Sequence, residues 1–202
     1  MKRLVIAVTA SALLLTGCAA SNDDTTAAPA VTAPGAAPSA PAGAGPLLAA
    51  YGLDGRSAEE VIDHLDRLSL PERPTGLRAS VRPGELVVSG GAQEFSLPIP
   101  GDRFYLSVAP YVDRTHECFH HSLTTCKGEL AAQDVQVKIV DETDGRVLVD
   151  ETRTTFANGF TGFWLPRGIE GTLTVTYDGR TGEAEITTGD DAPTCLTTLR
   201  LA

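Results

Sequence analysis

The chain has no run rich in Lys and Arg: 16 Lys+Arg stand against 26 Asp+Glu, for a formal charge of −10 over 202 residues. Phosphate binding is driven by positive charge, so this balance argues against a nucleic-acid partner. Nor is there an apolar stretch of about 20 residues, the length a membrane-spanning helix needs. The N-terminal run Leu4 to Leu15 is too short to stay in a bilayer as an anchor. No phosphate-cradling Gly loop, HExxH helix, GxSxG elbow or internal repeat of fixed period occurs. The usual signatures of nucleotide-binding proteins, zinc proteases and α/β hydrolases are thus missing. What is present, 42% hydrophobic and 21% charged residues, is the balance of one ordinary globular domain.

Lys2 and Arg3 followed by the short apolar run read as a secretion signal over residues 1–17. The run ends in Leu15-Thr16-Gly17-Cys18, which resembles the bacterial lipobox, where small residues let a peptidase cut before a diacylglycerol-bearing Cys. Lipidation is therefore expected at Cys18, with the protein extracytoplasmic and lipid-anchored to the bacterial membrane. Loss of residues 1–17 removes two cations and no acids, so charge cannot hold the mature chain on anionic lipid and attachment has to be covalent. The lipidated Cys and the following residues, 18–45, form an expected disordered tether. From Ala19 to Gly45 there are 11 Ala and four Pro, with Val31 the only larger apolar side chain, and nothing there can bury a core.

Residues 46–74 are expected to be helical. Ser57-Ala58-Glu59-Glu60 has the pattern of a capping box, and Val61, Ile62, Leu65 and Leu68 then share one face until Pro71 stops the helix. That stripe is core-like and carries no ligand set, so the helix reads as structural; it is also a candidate surface for a homodimer. His64 falls on its polar side. From Leu77 the period changes to two, and residues 75–202 form the expected β-rich domain. Eleven short segments, among them Phe104 to Val112, Thr154 to Ala157 and Leu196 to Leu201, are separated by Gly, Pro, Asp and Asn punctuation. The fold class expected is mainly β: an antiparallel β-sandwich or barrel-like domain preceded by a short N-terminal helical segment.

The informative stretch runs from Thr115 to Leu130. It holds His116, His120 and His121, three of the four histidines, together with Cys118 and Cys126. If its start is extended, His116, Cys118 and His120 point to one side. With Cys18 consumed by lipid, Cys118, Cys126 and Cys195 are left, an odd number in an oxidising compartment. One reading is a Cys118–Cys126 or Cys126–Cys195 disulfide stapling a surface lipoprotein that acts as a metal-independent protein-binding module. The other is a metal site, since thiolate plus imidazole suits Cu(I) or Zn(II). Zinc favours four closed protein ligands, whereas Cu(I) accepts two or three soft ones, so three Cys plus a nearby His fits either. An uneven thiol count in an exported protein tilts toward copper, because thiolates can reduce Cu(II) while forming a disulfide. A protein-directed thiol oxidoreductase is disfavoured by the wide Cys-x7-Cys spacing.

Ala109-Pro110-Tyr111-Val112 and Thr115-His116-x-Cys118-x-x-His121-Ser122-Leu123-x-Thr125-Cys126-x-Gly128-Glu129-Leu130 resemble the signature of the periplasmic copper-binding CueP proteins. So do Gly162-Phe163-Trp164-Leu165-Pro166-Arg167 and Pro193-Thr194-Cys195-Leu196-Thr197-Thr198-Leu199. The resemblance implies copper resistance or copper delivery, with Cys118, Cys126, Cys195, His116 and His121 as metal ligands and His120 as an additional candidate outside the shared pattern. It also implies Cu(II) reduction by thiols, an extracytoplasmic Cu,Zn superoxide dismutase as acceptor, and a disulfide reductase that recharges the thiols. The lipobox and long tether depart from family members that are free in the periplasm.

Overall fold

The structure, a computed structural model, describes residues 43–202, so the expected signal peptide, Cys18 and nearly all of the tether lie outside the described residues. A short helix α1 (Ala44–Ala49) begins inside the expected tether, because Ala44 is fully buried in the core beside Leu47 and Leu48. Helix α2 (Ala58–Asp66) starts as its sequence dictates. The Ser57 hydroxyl accepts from the Glu60 N–H at 3.2 Å, and the Glu60 carboxylate accepts from the Ser57 N–H at 2.8 Å. Val61, Ile62 and Leu65 are buried and Leu68 partly so, while His64 is exposed. A 3-10 turn (Leu70–Glu72) carrying Pro71 leads away. Among the described residues no helix is long and apolar enough to cross a membrane.

The strands are β1 (Leu77–Arg82), β2 (Glu85–Gly90), β3 (Gln93–Pro98), β4 (Arg103–Val108), β5 (Asp134–Asp141), β6 (Arg146–Thr154), β7 (Thr161–Pro166), β8 (Glu170–Tyr177), β9 (Arg180–Thr187) and β10 (Cys195–Leu196). They form three sheets of order β1-β2-β3, β10-β4-β7 and β6-β5-β8-β9. Among the described residues every pairing between these strands is antiparallel except β10 with β4, where Cys195 lies beside Ser107 in a parallel pair that an isolated parallel bridge, Tyr111 to Arg200, continues. The protein is thus mainly β with helices ahead of the sheets, and no barrel closes among the described residues. Phe104, Leu106, Val108, Phe163 and Leu165 pack against Val135, Val137, Ile139, Leu173 and Val175, which makes the sandwich core. A second core joins α1 and α2 to β1 and β2 through Leu48, Val61, Ile62 and Leu65 with Ala79, Val81, Leu86 and Val88. Strand β4 serves both: its alternate residue Tyr105 faces the helical side, where it meets Trp164 at 4.7 Å between ring centroids.

Three expected strands are cut short or lost. Phe104 to Val112 ends at Val108, since Pro110 has no N–H to give the ladder. Leu196 to Leu201 shrinks to Cys195–Leu196 for the same reason. Ala109 N–H bonds Leu196 O, and the next available donor, Tyr111 N–H, reaches Leu199 O, so the register slips around Pro110. Thr154 to Ala157 is not a separate strand. β6 runs to Thr154, and Thr155 to Phe160 then form a turn closed by Phe156 N–H to Phe160 O at 2.7 Å, with Gly159 at φ +84°.

Candidate metal centre

The long loop between β4 and β5 is pinned at both ends. Glu129 accepts the backbone N–H groups of Val112, Asp113 and Arg114 at 2.8, 3.0 and 3.3 Å. Burial opposes the charge on Glu129, but these donors hold its carboxyl below the usual range. Next to it, Gly128 N–H bonds Asn158 O at 2.7 Å, and a Cβ on Gly128 would fall on the Gly159 carbonyl. Only glycine permits that approach of two backbones. Further along, Val81 N–H bonds His121 O at 2.8 Å and Leu123 N–H bonds Ala79 O at 2.9 Å, which lays the loop along β1. The Thr194 hydroxyl accepts from His121 N–H at 3.0 Å and donates to Val81 O at 2.6 Å. Thr194 and Cys195 N–H both bond Phe119 O, at 3.0 and 3.1 Å. The C-terminal segment is thereby stitched to the loop.

These contacts bring three free thiols together. Cys118 and Cys126 sulfurs are 3.5 Å apart, and Cys195 Sγ is 3.6 Å from His121 Nδ1. Two overlapping sets of ligand atoms result, His116/Cys118/Cys126 and His121/Cys126/Cys195, each with its atoms within 4.8 Å of one another. Cys126 belongs to both. The inner set is buried; in the outer set His116 is exposed and Cys118 half-buried. Phe160 closes the apolar wall beside Cys126 and Cys195 and lies 4.5 Å from the His121 ring. His120 joins neither set: it is exposed, and its ring packs edge-on against Phe119 at 4.9 Å.

Beneath the thiols lies a group that the sequence reading passed over. Asp66, the last residue of α2, is fully buried and accepts His121 Nε2 at 2.8 Å, Tyr105 Oη at 2.7 Å, Ser107 Oγ at 3.1 Å and Asn158 Nδ2 at 3.1 Å. The end of α2 therefore supports the site as well as the core. A usable signal existed: Asp66 follows Leu65 and sits four residues after Ile62, a charge on the apolar face, and buried charges have to be paired. Tyr105 reaches Asp66 across Gly162, where any Cβ would occupy the phenol oxygen's position.

The electrostatics follow from this frame. Burial raises the Asp66 carboxyl, but the charge and hydrogen bond of His121, with those of Tyr105 and Ser107, outweigh it and hold the group below its usual value. Burial depresses His121, yet Asp66 pulls it up to about 9. Since the carboxylate takes the Nε2 proton, Nδ1 is the nitrogen turned to Cys195. Cys126 is held well below the ordinary thiol range by hydrogen bonds from Cys118 and Cys195, against burial and with help from His121. Its donors pay the complementary shift: Cys118 is pushed up to about 11 and Cys195 far above its usual range. Of the three thiols, Cys126 is thus the one that ionises most readily. Arg73 Nη1 bonds Cys126 O at 2.7 Å and fixes the backbone behind that thiolate; nothing in the local sequence signals this role.

The family described as periplasmic copper-binding protein CueP matches residues 60–200. The crystal structure of S.CueP is similar at 44% sequence identity, over 80% of this chain and 99% of that one, with a TM-score of 0.74. No curated protein matches.

Proposed function

The chain belongs to the CueP family of periplasmic copper-binding proteins, and from that membership we propose that Cys118, Cys126 and Cys195 hold Cu(I), with His121 Nδ1 on the buried side and His116 on the solvent side. The observation that carries this reading is the meeting of both sets of ligand atoms at Cys126. Three thiolates with a nearby imidazole suit Cu(I) and would also close a zinc set of four, so the family membership is what favours copper. Because thiols have to lose their protons to bind metal, copper binding releases protons and strengthens as pH rises.

The same thiols reduce Cu(II): two thiolates give up two electrons, two Cu(II) become two Cu(I), and a disulfide forms that an external disulfide reductase has to reopen. In that cycle the protein serves copper resistance and hands Cu(I) to an extracytoplasmic acceptor such as a Cu,Zn superoxide dismutase. The test adds Cu(II) to the fully reduced chain beside a Cu(I)-specific chromophore and counts thiols. Cu(I) should appear as thiols disappear, and Cys195→Ser should impair both. Equal binding and reduction by Cys195→Ser would refute a site that needs all three thiols.

A further inference from the structure

A second polar site lies on the other side of Arg73. A cleft of about 640 Å³ between the Leu70–Glu72 turn and the β1–β2 sheet is lined by Arg73, Thr75, Arg78, Ser89, Thr124 and Thr125, with the glycines of the adjoining turns. No acidic side chain lines it, although the protein as a whole is strongly acidic. Arg73 is only 8% exposed. One of its nitrogens is spent on Cys126 O, while Nε and Nη2 have no hydrogen-bond partner among the described residues. Those two are the side-by-side donors of a guanidinium, the edge that matches two oxygens of one anion. Thr124 Oγ1, also buried, lacks a partner too. Asp66 and the Cys126 thiolate act on the guanidinium charge but accept none of these free donors.

Buried donors without acceptors are costly and uncommon, and here two residues that carry them line one cleft. We propose that this cleft binds a small anion with paired oxygens, a carboxylate or an inorganic oxyanion, seated on the Nε/Nη2 edge of Arg73 with the Thr124 hydroxyl as a further donor and Arg78 at the rim. The ligand and the Cys126 carbonyl then occupy opposite sides of one guanidinium, so the anion stiffens the support behind the thiols. The site does not depend on whether the thiols hold copper.

The experiment titrates the full-length, reduced, metal-free protein with inorganic phosphate and, separately, with acetate, at fixed ionic strength, by calorimetry. Saturable one-to-one binding of at least one of them is expected. Arg73→Lys keeps the charge but loses the paired edge and should weaken binding by about tenfold or more. Thr124→Val, which leaves Arg73 in place, should weaken it severalfold and decides the matter if Arg73→Lys misfolds by circular dichroism. Absence of saturable binding of both anions by the wild type would overturn the proposal, leaving ordered water as the partner of these donors. Unchanged affinity in either folded variant would overturn it as well.

Discussion

Four side chains donate to one carboxylate at Asp66, and the consequences are readable in the pH dependence of stability. His121 is raised from 6.5 to about 9, so its share of stability is complete below pH 6.5 and is lost as pH rises through about 9. Cys126 runs the other way: its folded pKa is depressed, so its share grows as pH climbs toward its ordinary value of 9.0. In the reduced wild type the two contributions offset each other between pH 6.5 and 9. Cys126→Ser removes the offset, and its stability by urea denaturation should fall by up to roughly 3 kcal/mol across that window while the wild type stays level. A level Cys126→Ser profile would mean that His121 is not held as an ion pair. Asp66→Asn leaves His121 without its counter-charge and should cost about 3 kcal/mol at neutral pH, abolishing the slope in the Cys126→Ser background.

Helix α2 and the loop after β4 make different demands. Leu65 is 1% exposed in the helical core, so Leu65→Ala should cost about 2–5 kcal/mol. Metal stoichiometry in the protein that remains folded should stay the same, because Leu65 packs in the helical core and carries no ligand atom. Copper binding lost at unchanged stability would contradict that division. Gly128→Ala acts on the loop instead. Its methyl group has to displace the Gly159 backbone, at a cost of roughly 1–3 kcal/mol. The strain falls where Cys126 is anchored, so iodoacetamide should label the native thiols faster in Gly128→Ala than in Leu65→Ala of equal stability. Equal labelling would show that the Gly128–Gly159 approach does not shape the thiol cluster.

In the whole molecule, β4 is the hinge between two cores: one face closes the sandwich, the other receives α2, and its end feeds the loop while its edge pairs with β10. Elements far apart in sequence therefore converge at one end of β4. We propose that Cys18 is lipidated and that the Ala- and Pro-rich residues 19–42 join this domain to the membrane. Cys18→Ser should move the protein from the membrane fraction to the soluble fraction. A wild-type protein that is already soluble and starts at another residue would refute the anchor.

What the sequence determined by itself are the features set by neighbours a few residues apart. The Ser57–Glu60 capping box starts α2, its apolar stripe goes inside, the period-two segments become strands, and the glycine and aspartate turns separate them. The candidate ligands were visible as residue types too, since His and Cys crowd into one loop. The pairing of sheets was not visible, nor was the interruption at Pro110, because register depends on which edge a strand meets. Above all, no local pattern joins Cys195 to Cys126, Asp66 to His121, or Arg73 to the Cys126 carbonyl. Those contacts exist because β10 lies parallel to β4 and α2 packs on its other face, and only the folded chain brings together three thiols and a buried ion pair from three separate segments, α2, the loop after β4 and β10.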